Sequence, residues 1–164
     1  MDTRWKPSVT VAAIIERGGQ YLLVEEETPE GIRLNNPAGH LDPGESPLEG
    51  CVREALEETA HHFVPTHLLG IYLSRFQRLP QHGPAQDITY MRFAFAGELG
   101  EQVVGRQLDH GILRTVWLSP EEIRAKRQLC RSPLVLRCLE DHLRGQRYPL
   151  DLIYTDAAVQ DFGR

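Results

Sequence analysis

Three glutamates, Glu54, Glu57 and Glu58, fall within five residues of the stretch VREALEETAH. Residues three and four apart share one face of a helix. At about 100° per residue these acids occupy an arc of about 100°. Like charges so placed repel one another, and the cost rises as water is excluded. Arg53 stands four residues before Glu57 and offsets part of this charge, but one guanidinium cannot neutralise three carboxylates. Taken alone, EALEE reads as a solvated acidic face. The residues before it point elsewhere. The loop GHLDPGE adds Asp42 and Glu45. Hard divalent cations prefer oxygen ligands, and magnesium in particular is held by one or two carboxylates together with substrate phosphates. A metal-dependent phosphate site would supply the missing positive charge.

The surrounding elements must position these side chains. The segment NPAGHLDPGESP is rich in turn formers. A helix is expected after Ser46, with Pro47 at its first position. Leu48, Val52, Ala55 and Thr59 recur at helical spacing and give that helix a core-facing side. Upstream, SVTVAAIIE and QYLLVEEE flank Gly18-Gly19 and predict a hairpin, with a short strand at Ile32 to Asn36. Downstream, His67 to Gln77, Ile88 to Leu99 and Ile112 to Leu118 predict strands. The loop RLPQHGPAQD, between the first two, is long enough to contact substrate. Ser119-Pro120-Glu121-Glu122 reads as a helix start. A last helix is expected from about Pro133 to Leu143, with Gly145 as its stop. Strands, a loop-helix insert, more strands and then helices imply an α/β fold, a mixed sheet covered by helices.

Bulk properties narrow the function. A chain of 164 residues suggests one domain, taken here as residues 1–153, with 154–164 as a weakly patterned tail expected to be poorly ordered. The formal net charge of −5 argues against a general nucleic-acid partner, which is more often basic. Cys51, Cys130 and Cys138 have no zinc-like spacing, and their odd number argues against a disulfide framework. They read as core or partly buried residues. No apolar leader or membrane-length run is visible, so a cytoplasmic location without a membrane partner is expected.

Read together, residues 39–61, GHLDPGESPLEGCVREALEETAH, resemble the Nudix box. That motif is Gly, five residues, Glu, seven residues, Arg-Glu, an aliphatic residue, any residue, Glu-Glu, any residue, Gly and an aliphatic residue. Gly39, Glu45, Arg53, Glu54, Ala55, Glu57 and Glu58 fall on its fixed positions. Ala60 and His61 depart from its last two, which bears on how the helix ends and leaves the charged face intact. Shorter pieces, including VTVA, LVEE, NPAGHL and RSPLV, extend the resemblance from about Ser8 to Ile153, to a phosphatase-type group within that family.

The resemblance implies an α/β/α sandwich with the motif as a loop-helix-loop. It implies hydrolysis of a diphosphate joined to another group, with magnesium or manganese as cofactor. By motif position, Glu57, Glu58 and the Gly39 carbonyl would hold metal, and Glu54 would be a ligand or the base that activates water. Arg53 would orient the glutamates, and Glu45 would support the site from behind. Family members often recruit one more acid; Asp109 is the candidate, with Asp87, Glu121 and Glu122 as rivals. The implied substrates are nucleoside di- and triphosphates and hydroxymethylpyrimidine diphosphate. Asn36, Phe76, Tyr90, Arg92 and Arg131 are candidates for contacts at the pocket mouth, since aromatics stack and arginines bind phosphate. For Phe76 and Tyr90 a packed strand position is an equal reading.

Three other functions are compatible with parts of this sequence. A nucleotide or metabolite sensor on the same fold would not need the intact Arg53, Glu54, Glu57 and Glu58. An isomerase of the isopentenyl diphosphate type needs a reactive cysteine, and Cys51 falls on the expected core side of the helix. A scaffold with an acidic helix would bind no magnesium. Neither monomer nor homodimer is favoured by any residue.

Overall fold

The structure is a computed structural model that describes residues 4–79 and 83–161. Strands β1 (Ser8–Arg17) and β2 (Gln20–Thr28) form the expected hairpin, with Gly18 and Gly19 at positive φ between them. Two successive positive φ values are what a tight two-residue turn requires. Then come β3 (Gly31–Asn35), β4 (Ala38–His40), α1 (Pro47–Thr59), β5 (His61–Arg78), β6 (Gln86–Gln102) and β7 (Ile112–Leu118). Helices α2 (Pro120–Ala125) and α3 (Leu134–Leu143) follow, with short 3-10 turns at Arg127–Leu129, Leu150–Leu152 and Ala157–Val159.

The strands pair in the order β3-β2-β1-β6-β5, with β4 on β1 and β7 on β2. β1 and β6 run parallel; the other pairs are antiparallel. β1 and β2 pair only beside their turn, at Glu16↔Tyr21 and Arg17↔Gln20. Beyond that point β1 turns to β4 and β6, and β2 to β3 and β7. The mixed sheet therefore divides into two parts away from the hairpin.

Alternation along β1 builds a core on each face. Val11, Ala13 and Ile15 pack with Cys51 and Ala55 of α1, while Ile14 packs with Ile123, Val135 and Leu139 of the later helices. The result is the expected helix-sheet-helix layering. Cys51 and Cys138 are buried, Cys130 is half-buried, and all three are free.

Three expectations shift in detail. The turn-rich loop contains a short strand, β4, because Ala38, Gly39 and His40 pair with β1. β5 starts at His61, six residues before the predicted start, and its register slips at three places that accommodate the irregular pattern around Pro65. The long connection predicted at 78–87 is the tip of the β5–β6 hairpin, whose residues pair out to Arg78↔Gln86; residues 80–82 lie outside the described residues. Past Ile153 the chain runs back along the start of α1, where Gln160 Nε2 donates to Glu49 Oε1 at 3.2 Å. Among the described residues no helix is long and apolar enough to cross a membrane.

Candidate active site

Helix α1 begins as its sequence dictates. The Ser46 side chain accepts from the Glu49 N–H, the Glu49 side chain accepts from the Ser46 N–H, and Pro47 opens the first turn. Ala60, one of the two departures from the motif, closes it at φ 58, ψ 24, with its N–H on the Leu56 carbonyl. This is the left-handed cap that glycine favours, here adopted by alanine at a steric cost of about 1 kcal/mol. The departure leaves the cap geometry in place, and β5 begins immediately after it.

The acidic face of α1 is not a solvated surface. Glu54 and Glu58 are 8% and 7% exposed. They lie under β4, not toward open water. Gly39 of β4 meets Glu54 so closely that a Cβ there would overlap all three carboxylate atoms. The Ala38 N–H donates to Glu58 Oε2 at 2.9 Å.

Arg53 organises the remaining charge. Its Nε and NH2 donate to the two Glu45 oxygens at 2.9 and 2.7 Å, a bidentate pair. NH1 donates to Glu54 Oε1 at 2.7 Å and Glu57 Oε2 at 3.0 Å. NH2 also donates to the His40 carbonyl at 3.0 Å. One planar fork thus ties three carboxylates and the loop together. Glu45 is further held by the Asp42 N–H at 2.8 Å. Burial alone would raise Glu45, but its hydrogen bonds from Arg53 and Asp42 outweigh that and keep it ionised.

Burial shifts both glutamates in the same direction. Burial raises Glu54, and the nearby charges of Glu57 and Asp109 add to it, against the pull of Arg53. Burial pushes Glu58 up to about 8; the Ala38 N–H opposes this, while Glu54, Glu26 and Asp109 reinforce it.

Asp109 joins the group through tertiary structure. Its backbone N–H donates to the Glu57 carbonyl at 3.0 Å, which brings the segment before β7 against the end of α1. Its rivals are engaged elsewhere. Asp87 pairs with Arg75 on the exposed hairpin, Glu122 completes the cap of α2, and Glu121 faces Arg124.

The candidates for the pocket mouth separate. Arg92 is 6% exposed, with NH1 and NH2 at 3.4 Å from the Asn36 and Asn35 side-chain oxygens. Tyr90 lies near the site, its ring 6.2 Å from that of His40. Arg131 reaches Glu26 of β2, Nε to Oε1, at 2.7 Å. Phe76 stands apart, on the part of the β5–β6 hairpin beyond the pairing of β6 with β1. Sequence reading passed over Glu26 and Asn35. Glu26 belongs to the run Glu25-Glu26-Glu27, in which no local signal separates the inward residue from its neighbours.

The donor set fits a hard divalent cation in chemistry, since Glu54, Glu57, Glu58, Asp109 and the Gly39 carbonyl all offer oxygen. Among the described residues no three acidic, histidine or cysteine side chains already form a closed cage. Arg53 occupies part of the coordinating capacity of Glu54 and Glu57.

The chain is similar to known proteins over most of its length. A family model described as NUDIX domain matches residues 4–138. Phosphatase NudJ of Escherichia coli (strain K12) is 37% identical over 149 residues, which cover 91% of this chain and 92% of that protein. The protein of the same name from Shigella boydii serotype 4 (strain Sb227) matches to the same extent. Among solved structures, a NUDIX hydrolase from Nitrosomonas europaea superposes with a TM-score of 0.81 at 49% identity, covering 93% of this chain and 99% of that one. The solution structure of the E. coli ORF135 protein superposes with a TM-score of 0.60 at 25% identity, covering 85% and 90%.

Proposed function

The chain belongs to the Nudix family and is a hydrolase of phosphorus-containing anhydrides similar to phosphatase NudJ; on that premise we propose that it is a magnesium-dependent phosphatase of nucleoside di- and triphosphates, of hydroxymethylpyrimidine diphosphate, or of both. The observation that carries the proposal is the Arg53 fork, which fixes Glu54 and Glu57 beside the buried Glu58.

Glu57, Glu58 and Glu54 would hold the ion, with the Gly39 carbonyl and Asp109 as further donors, and manganese could take the same place. When bound, such an ion neutralises diphosphate charge and makes water a better nucleophile at neutral pH. The protein's own part is positioning. Phosphoryl transfer needs little covalent help and depends on held geometry and fixed charge. Arg53 holds Glu54 and Glu57 from one nitrogen, Gly39 leaves room for Glu54, and Ala38 holds Glu58. Glu54, which burial makes more basic than an ordinary carboxylate, is the candidate to take a proton from water.

Cys51 does not support isomerase chemistry, because it is buried and its thiol is pushed well above the usual range by burial first and by Glu54 second. The same proposal takes residues 1–153 as the catalytic domain, with a cytoplasmic location.

The test is a panel with magnesium: nucleoside di- and triphosphates, ADP-ribose, dinucleoside polyphosphates and hydroxymethylpyrimidine diphosphate, with phosphate and pyrophosphate assayed separately. Orthophosphate from nucleotides or the pyrimidine diphosphate, lost in Glu57→Gln, is the expected result. Full activity of that variant, or activity in a strong chelator, overturns the proposal. Cleavage confined to ADP-ribose or dinucleotides keeps the chemistry and replaces the substrate.

A further inference from the structure

Away from the acidic face of α1, two histidines from distant parts of the chain meet. His67 of β5 and His142 of α3 stack, with ring centroids 6.2 Å apart and planes 14° from parallel. Tyr21 of β2 meets His142 edge-on, and its hydroxyl oxygen lies 2.7 Å from His142 Nδ1. Tyr21 pairs with Glu16, which places the group beside the β1–β2 turn. Gly39 pairs with Val11, nearer the other end of β1.

The hydrogen bonds assign both rings as neutral. Thr66 Oγ1 gives its hydrogen to the Ala96 carbonyl at 3.2 Å and so accepts from His67 Nδ1 at 2.9 Å. The proton of neutral His67 is therefore on Nδ1, and Nε2 is a bare acceptor. That nitrogen is buried with no hydrogen-bond partner among the described residues, and the whole residue is 7% exposed. His142 uses Nδ1 to accept from the Tyr21 hydroxyl. Burial first, then the charges of Glu16 and Glu140, push that hydroxyl up to about 12, so it keeps its proton. A proton added to His67 would sit on Nε2 as a buried donor without an acceptor. A proton added to His142 Nδ1 would turn the acceptor into a donor and strand the buried Tyr21 hydrogen. Burial is the largest influence on both rings and holds them below the ordinary histidine range. Arg147, in the loop after α3, adds to this for both rings, and His142 adds to it for His67. Glu16 of β1 opposes it at His142.

The pair stands where the chain after α3 is fastened to β5. Leu68, next to His67, exchanges backbone hydrogen bonds with Tyr148 at 2.9 Å each way. Gln146 Nε2 donates to the Leu69 carbonyl at 2.9 Å. Farther along, Leu150 and Ile153 pack on the α1-side core. We propose that His67 and His142 form an acid-opened latch: neutral, they hold the segment from His142 to Tyr148 against β5, and proton uptake releases it. Rings closed in this way bind protons less well than exposed ones. The latch is therefore at full strength above the ordinary histidine range and weakens as pH falls through the lower values of the closed pair. It needs neither metal nor substrate, so its test is separate from that of the proposed activity.

The experiment is amide hydrogen exchange, read by NMR on the full chain from about pH 7.5 to about pH 5. Rates are expressed as protection relative to the intrinsic rate at each pH. Protection of the Leu68 and Tyr148 amides is expected to fall several-fold across this range, with a limiting slope of about tenfold per pH unit for each proton taken up. The Ala13 amide, which donates to the Pro37 carbonyl from the buried part of β1, is expected to keep its protection. His67→Asn keeps a donor for Thr66, and His142→Asn keeps an acceptor for Tyr21. Each is expected to reduce the fall, and the double variant to abolish it. Protection of Leu68 and Tyr148 that does not change with pH, an equal loss at Ala13, or a double variant as steep as wild type overturns the proposal. Where a variant fails to fold, the ring NMR shifts of His67 and His142 in the wild type decide. Titration of either ring in step with the loss of protection supports the latch; loss of protection while both rings stay neutral overturns it.

Discussion

Gly39 and the Glu54 carboxylate occupy adjoining space with no room for a methyl group between them. The constraint is one of volume, because Gly39 is not among the glycines with positive φ. Strand β4 therefore rests directly on the acidic face of α1, and the contact sets where Glu54 points. Gly39→Ala is expected to keep the fold and lower kcat/KM by about 10²-fold, the scale of a displacement of about 1 Å in a catalytic group. Steady-state kinetics with thermal unfolding as the control would check this. Wild-type activity in the variant would show that the glutamate has freedom the contact denies it.

Arg53 serves Glu45 on one edge and Glu54 and Glu57 on the other. A lysine carries the charge but not the fork. Arg53→Lys is expected to lose roughly 1–3 kcal/mol of stability and most of its turnover. Urea unfolding and kcat, measured on the same preparation, should move together. Retained turnover with lowered stability would restrict Arg53 to a structural role.

Glu58 predicts the pH dependence of stability. Burial raises it from 4.5 to about 8, so the folded chain holds a proton there that the unfolded chain releases. Its contribution is fully present below pH 4.5 and is lost as pH rises through 8. In chelator, the melting temperature of the wild type should fall across this window more steeply than that of Glu58→Gln, which cannot ionise. Parallel curves would show that Glu58 ionises without penalty. Added magnesium should raise the wild-type melting temperature most at the alkaline end, where the carboxylate is charged.

Asp141 offers a control outside the site. It is fully buried on α3 and accepts from Tyr72 of β5 at 3.0 Å, from Arg137 at 2.8 Å and from Arg144. Asp141→Ala should cost about 2 kcal/mol of stability, because it strands the buried Tyr72 hydroxyl. Its kcat and KM should stay at wild-type values when measured well below the melting temperature. A selective loss of turnover would tie α3 to the chemistry.

Local sequence was sufficient for what depends on local spacing. Ser46 and Ser119 each stand three residues before a glutamate and one before a proline, and both cap a helix as expected. Gly18-Gly19 between two strand-like runs set the first hairpin. The spacing of Gly39, Glu45, Arg53, Glu54, Glu57 and Glu58 identified the family, because one short strand, the loop after it and one helix carry all six in a continuous stretch.

What local spacing could not determine was which charges meet across the fold. EALEE reads equally well as a wet surface, and the packing of β4 over α1 is what buries Glu54 and Glu58. Asp109 reaches the site through a backbone hydrogen bond to a residue more than fifty positions earlier. Glu26 and Arg131 meet because β2 and the segment after α2 both border β3, and nothing in either neighbourhood announces the pair. Sequence sets periodicity, caps and turns, whose energies involve residues a few positions apart. The electrostatics of the site depend on distance and water exclusion between remote segments, which exist only once the two parts of the sheet and α1 have closed around them.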